Sequence, residues 1–222
     1  MKNIKKKVKK AVIMCGVMGL IFANTLIVPA QAYAYRDLNY NFKAAAPIVN
    51  EITGERLSVI DGPTYGSNPN IQIEGLEYIP NNYKMNIQQG IEYQVLDLLN
   101  QKRIEYGLQP LQMDENLVKI ARYKSADMVQ RKYFSHYTDE IGYSRFYVDW
   151  IINLDLKYNK VAENLVQVGV LNENTANCMF DLWWNSEGHR KNMMNGDMKY
   201  IGIGVIHDES NGITLGTQHF SY

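Results

Sequence analysis

Two histidines and one glutamate, carried by three short motifs, are the side chains of this sequence best suited to chemistry. The motifs are Phe134-Ser135-His136, Ala162-Glu163-Asn164-Leu165 and Trp184-Asn185-Ser186-Glu187-Gly188-His189-Arg190. A His/Glu/His set can hold a divalent metal such as zinc, or it can transfer protons near neutral pH. It can equally be a hydrogen-bonded network with no catalytic task. The motifs therefore indicate where a site lies, and they leave open whether the chain is an enzyme.

A metal is the cofactor that these residue types favour, either zinc or another divalent ion. His136 and His189 are the candidate ligands, and they also count as candidate catalytic residues. Two neutral imidazoles supply half of a tetrahedral zinc shell, so water or a carboxylate must complete it. In a metal-assisted hydrolysis, Glu163 would act as the general base on the bound water. Its other possible task is to orient a histidine.

Residues 1–32 have the order of a secretory signal peptide. Six lysines precede an apolar run over residues 11–28, and a Pro-Ala-Gln-Ala cleavage pattern ends at Ala32. We expect cleavage after Ala32, or alternatively after Ala34. An uncleaved anchor is the other reading of the run, but Asn24 and Thr25 weaken a permanent span. The prediction is a secreted protein, extracellular or associated with the cell wall, that meets the membrane only through this segment before cleavage.

The formal net charge of zero conceals an acidic mature chain. Removing the six lysines of the leader leaves 17 basic and 23 acidic side chains. Binding to nucleic acid or to an anionic membrane requires basic patches, so this charge balance argues against both partners.

Composition divides the mature chain into two parts. Four of the six prolines lie between residues 33 and 85, among Asn, Gly and Ser, which predicts a linker or a loosely packed N-terminal segment. From residue 86 to 222, hydrophobic periodicity predicts a folded domain. A first helix extends from about residue 87 to a stop at Gly107, and Asp114 is placed to cap a second. A short helix is expected at 144–152 and a long one at 174–185.

The C-terminal residues predict a β-hairpin. Two alternating apolar segments, 200–207 and 213–220, flank an Asn211-Gly212 turn. Helices followed by a hairpin favour an α+β fold with an antiparallel sheet packed between helices. Gly202 and Gly204 are read as sites of close strand packing rather than as a nucleotide loop. Of the two histidines in the hairpin, both expected to be structural or at the surface, His219 is the closer candidate for the cleft.

Taken in order, the motifs resemble the CAP superfamily, the cysteine-rich secretory, antigen 5 and pathogenesis-related proteins. The resemblance is to the bacterial branch of SCP-like extracellular proteins, and it covers roughly residues 87–222. The segments that carry it are Leu99 to Arg103 with Gly107-Leu108, Phe134-Ser135-His136, Ala162 to Leu165, Trp183 to Asn192, and Ile201 to Val205. It implies an α-β-α sandwich, with a cleft that often holds a divalent metal on two histidines.

The resemblance also implies which residues line the cleft. His136, Glu163 and His189 match family positions, while the second acid of the family does not carry over. Ser186 stands in its place and Glu187 follows one residue later, so both are cleft-lining candidates together with Asn164.

Three functions are compatible with these residues. The leading hypothesis is a secreted bacterial CAP-domain protein whose cleft binds a wall fragment, a peptide, a lipid or a partner protein. The first alternative is a zinc-assisted, peptidase-like hydrolase with Glu163 as base. The second is a structural or surface-interaction protein with a vestigial cleft. A serine hydrolase fits poorly, because no nucleophile-elbow sequence accompanies Ser135 or Ser186.

Overall fold

The computed structural model describes residues 69–136, 161–169 and 171–222. The predicted signal peptide, both cleavage positions and the expected helix at 144–152 lie outside these ranges. The elements are β1 (Met85–Ile87), α1 (Gln89–Glu105), β2 (Gln112–Met113), α2 (Glu115–Arg131), β3 (Val161–Val168), α3 (Thr175–Asn185), α4 (Glu187–Met193), β4 (Tyr200–Asp208) and β5 (Ile213–Ser221).

The sheet has the strand order β1-β4-β5-β3, with β2 added beside β4. The β4–β5 hairpin forms its centre, and β1 and β3 pair antiparallel with the two hairpin strands. Strand β3 lies at the edge of this order, so only one of its sides pairs with a described strand. This position matters because β3 carries the Ala162-Glu163-Asn164-Leu165 motif.

Helices cover both faces of the sheet, which confirms the predicted α-β-α sandwich. Helix α2 packs on one face, where Leu117 and Ile120 join Leu165, Ile206 and Leu215 in a buried cluster. Helices α1 and α3 pack on the other face around Trp183, together with apolar residues of β4 and β5. The expected close packing at the two β4 glycines is also present, because a Cβ at Gly202 or Gly204 would collide with the backbone of α2.

Local signals set the helix ends as predicted. Asp114 accepts a hydrogen bond from the Leu117 N–H at 2.9 Å and caps α2. Helix α1 stops at Gly107, whose φ of +74° is a left-handed value that glycine adopts readily. The separate short helix α4 was not anticipated. Within the described ranges, no helix is both long and apolar enough to cross a bilayer.

Part of the proline-rich segment belongs to the core. Ile71, Ile73 and Ile79 are at most 6% exposed and pack in the same buried cluster as α2. The side chain of Gln72 brackets this segment by bonding both the N–H and the carbonyl of Ile79. The folded unit therefore includes residues before position 86.

Candidate functional site

The edge strand β3 holds the two histidine-bearing segments from opposite faces. Consecutive residues of a strand point to opposite sides of the sheet, so Glu163 faces α2 and Asn164 faces α3 and α4. Each of the two side chains is buried and fastens one segment. At the edge of the sheet, Glu163 therefore holds the segment of His136 on one face, and Asn164 holds the segment of His189 on the other.

On the α2 face, Glu163 accepts hydrogen bonds from two histidines. His136 Nδ1 lies 2.6 Å from Oε1, and His219 Nε2 lies 2.8 Å from Oε2. Glu163 and His219 are direct partners in the β3–β5 register, which brings their side chains together on one face. The side chains of Glu163 and His219 are fully buried, whereas 41% of the His136 side chain is exposed.

These contacts define the protonation of the site. An ionised carboxylate only accepts hydrogen bonds, so His136 carries its proton on Nδ1 and His219 carries its proton on Nε2. Burial favours a neutral Glu163, but the hydrogen bonds from His136 and His219 and the charge of Lys124 outweigh it, so the pKa of this carboxyl lies below its usual value. Burial lowers the pKa of His219, although its bond to Glu163 opposes that shift.

On the opposite face, Asn164 anchors the segment that carries His189. Its amide donates to the His189 carbonyl at 3.1 Å and to Gln218 Oε1 at 3.0 Å, and its Oδ1 accepts from Asn192 Nδ2 at 2.9 Å. The His189 ring makes no hydrogen bond with Glu163, and its buried Nδ1 has no partner within the described part of the chain. Burial and then the nearby His136 lower the pKa of His189, so its imidazole is neutral at pH 7.

A buried lysine, which sequence reasoning did not single out, lies behind the His136 segment. Lys124 of α2 has no exposed surface, and its Nζ donates to the Tyr133 hydroxyl at 3.0 Å. That hydroxyl donates to Asp127 Oδ2 at 2.5 Å. The apolar periodicity of α2 hid Lys124, because a lysine in such a pattern normally lies on the solvent side. An interrupted apolar stripe was the only signal that could have revealed it.

The remaining cleft candidates lie at the start of α4. Ser186 is half-buried and precedes the helix as its N-cap residue, without a side-chain cap hydrogen bond. Glu187 is exposed in the first turn, and no described hydrogen bond or ion pair connects it to His136 or His189. Glu187 thus lies apart from the Glu163 network.

A divalent metal fits this donor set only in part. Among the residues that the structure describes, no three His, Cys, Asp or Glu side chains are grouped closely enough to share one ion. The orphaned Nδ1 of His189 and the presence of two imidazoles suit zinc chemistry. Both Glu163 oxygens already accept hydrogen bonds, so two histidines are the protein ligands on offer.

Sequence comparison places this architecture in a known family. The model of the cysteine-rich secretory protein family, CAP, matches residues 96–220, which is more than half of the chain. The chain belongs to the CAP family, and it is a CAP-domain protein of the bacterial type.

Two relatives from Bacillus subtilis (strain 168) match more than half of the chain. The uncharacterized protein YkwD is 37% identical over 129 residues, which cover 58% of this chain and 46% of YkwD. The uncharacterized membrane protein YlbC is 33% identical over 119 residues, which cover 54% of this chain and 32% of YlbC. The matched region thus spans less than half the length of either relative.

Solved structures share the fold. An outer surface protein from Borrelia burgdorferi aligns with a TM-score of 0.55 at 18% identity, covering 63% of this chain and 97% of that protein. An extracellular SCP-domain protein from Bacillus anthracis str. Ames aligns with a TM-score of 0.50 at 26% identity, covering 60% of this chain and 40% of the other. At 18% identity, the similarity to the Borrelia burgdorferi protein shows a shared fold and nothing more.

Proposed function

We propose that this CAP-domain protein is secreted and that its cleft, between the His136 turn and the His189 helix, binds an extracellular ligand. The ligand classes that suit an exported acidic protein are a wall fragment, a peptide or a lipid. One observation carries the proposal: a fully buried carboxylate holds the half-exposed His136 in one tautomer. In the Nδ1–H tautomer, Nε2 is the acceptor atom of the ring, and an imidazole acceptor of this kind can recognise a polar group.

The arrangement supports binding more than hydrolysis. A general base needs a carboxylate oxygen that can reach a water molecule and a pKa close to the working pH. Glu163 is buried, both of its oxygens are engaged by histidines, and its pKa lies below the usual value. These features suit an orienting group, so the zinc-assisted hydrolase with Glu163 as base is the second candidate. A vestigial cleft is the third.

A divalent metal at this cleft would be held by His136 and His189, with its other ligands coming from water or from the bound molecule. Such an ion supplies a Lewis acid, which can bind a carbonyl or phosphoryl oxygen of the ligand. The chain's own contribution is orientation, because Glu163 fixes the His136 ring and Asn164 fixes the His189 backbone. The neutral state of His189 at pH 7 is the state that a metal ligand requires.

Calorimetric titration of the purified protein with soluble muropeptides tests the proposal. We expect binding by the wild type and a loss of at least tenfold in affinity for His136→Ala and for His189→Ala. His207→Ala is the matched control, because His207 lies in the hairpin and bonds Thr214. A short peptide and phospholipid vesicles serve as the two other probe classes. Equal affinity in all variants, or no binding of any of the three probes, would contradict the proposal.

Hydrolysis is tested separately with Glu163→Gln. A wild type that turns over a muropeptide or peptide, and a folded variant that does not, would favour the hydrolase instead. The binding proposal predicts no turnover by either protein.

A further inference from the structure

Lys124 is a fully buried cation that contacts the turn carrying His136. It occupies the middle of α2, and its exposed surface is 0%. Burying an ammonium group is costly unless it is paired and hydrogen-bonded. Burial lowers the pKa of Lys124, and the charges of Glu163 and Asp127 oppose that shift. The cation is therefore stabilised by the negative charges of Glu163 on β3 and of Asp127 on its own helix.

The turn that carries His136 folds back over this lysine. Helix α2 ends at Arg131, and Lys132 adopts a left-handed φ of 56°, which reverses the chain. The Tyr133 N–H then bonds the Met128 carbonyl at 3.2 Å. Beyond Tyr133 the chain is outside the helix, and Phe134 is 49% exposed. The helix itself therefore does little to fix His136.

Lys124 contacts the first and the last residue of the turn, Tyr133 and His136. Its Nζ donates to the Tyr133 hydroxyl at 3.0 Å, lies 4.7 Å from the centre of the Tyr133 ring, and reaches the His136 carbonyl at 3.5 Å. Asp127 completes the contact by accepting from the Tyr133 hydroxyl. Lys124 thus holds the His136 backbone through its carbonyl, and Glu163 holds the His136 ring through Nδ1.

We propose that Lys124 is a positioning residue of the cleft: it fastens the Tyr133–His136 turn and so keeps the His136 imidazole on Glu163 in a single tautomer. The purpose of this positioning rests on the proposed ligand-binding function. The geometry itself can be tested without any ligand, so failure of one proposal is distinguishable from failure of the other.

The test is the side-chain ¹⁵N spectrum of histidine in the full chain, recorded at pH 7.5 with a chelator present. The protein has four histidines, so a His136→Gln spectrum assigns the His136 signals. In the wild type we expect the Nδ1–H tautomer, because Nδ1 donates to Glu163. In Lys124→Met, the two nitrogen signals of His136 should move to the averaged positions of a mobile imidazole. A folded Lys124→Met protein that keeps the wild-type His136 signals would overturn the proposal.

Two further variants make the result specific. Lys119→Met is the matched control, because Lys119 lies on the same helix in a partly exposed ion pair with Glu115, and it should leave His136 unchanged. Tyr133→Phe removes only the hydroxyl that Lys124 contacts and keeps every charge. If Lys124→Met does not fold, Tyr133→Phe decides the matter: a shift of the His136 signals toward the averaged positions supports the proposal, and wild-type signals overturn it.

Discussion

Glu92 and Glu163 are both buried carboxylates beside the sheet, and their partners differ in kind. Glu92 of α1 is 1% exposed and accepts two bonds from Arg122, at 2.9 Å and 2.5 Å, and one from the Val205 N–H at 3.0 Å. Glu163 accepts instead from the imidazoles of His136 and His219.

The difference separates a structural anchor from a site. A guanidinium stays charged at all accessible pH and has no acceptor atom, so the bidentate Glu92–Arg122 pair simply joins α1 to α2. An imidazole can be neutral, and when one nitrogen donates its proton the other can accept. The Glu163 network also reaches solvent through His136. Breaking the Glu92–Arg122 pair should therefore lower the free energy of unfolding. Breaking the hydrogen bonds between Glu163 and its two histidines should instead lower the affinity for the ligand.

The largest effect on stability is expected for Arg122→Met. This change leaves the Glu92 carboxylate buried without its cation, and losing one partner of such a pair costs about 3 kcal/mol of unfolding free energy. Urea denaturation measures the loss. Lys119→Met is the control from the same helix, and it should cost no more than about 0.5 kcal/mol. If Arg122→Met lowers the free energy of unfolding as little as the control does, the Glu92–Arg122 pair is not the structural anchor that distinguishes it from the Glu163 site.

A smaller loss of stability is expected when His136 and His189 are both replaced. His136→Ala combined with His189→Ala should cost about 1 kcal/mol, because water can replace the half-exposed His136 ring on Glu163. The same double variant should lose zinc that the wild type retains after dialysis at pH 7.5, measured as metal content per chain. His207→Ala should keep the wild-type value. Equal zinc in the double variant would exclude these two histidines as ligands.

The smallest effect concerns pH. Because the pKa of His219 is depressed below 6.5, the unfolded chain binds a proton that the native chain resists, and stability falls as the pH drops below 6.5. His189 acts in the same direction, and the depressed pKa of Glu163 adds a further loss below 4.5. The Tm of the wild type should therefore fall when the pH is lowered from 7.5 to 5.5. In His219→Gln, the Tm should fall by a few degrees less over the same pH range. An identical fall in His219→Gln would contradict the role of His219.

The elements of the fold were predictable because their signals are local. Asp114 and Gly107 mark helix ends through their own side-chain and backbone chemistry, and the Asn211-Gly212 turn marks the hairpin. Gly202 and Gly204 are local signals too, because a glycine inside a strand predicts the close approach of another backbone, which here is that of α2. The small strands β1 and β2 carry no such signal, since their pairing with β4 depends on residues far along the chain.

The site was only half predictable. Motif order indicated His136, Glu163 and His189, but the contact between Glu163 and His219 depends on the β3–β5 register, which a sequence does not display. Lys124 was missed because a lysine in an apolar helical pattern normally lies on the solvent side, whereas here its Nζ contacts Tyr133 and His136 in the turn after α2. In both cases the missing information was a tertiary contact.

The most direct test of the account compares Glu163→Gln with Glu92→Gln in one experiment. Both proteins are titrated with the same muropeptide preparation, and both are unfolded in urea. We expect Glu163→Gln to lose at least tenfold in affinity with the smaller loss of stability, because the amide cannot accept from both histidines. Glu92→Gln should keep the wild-type affinity and lose more stability. Wild-type affinity in a folded Glu163→Gln protein would contradict the claim that Glu163 orients the cleft for binding.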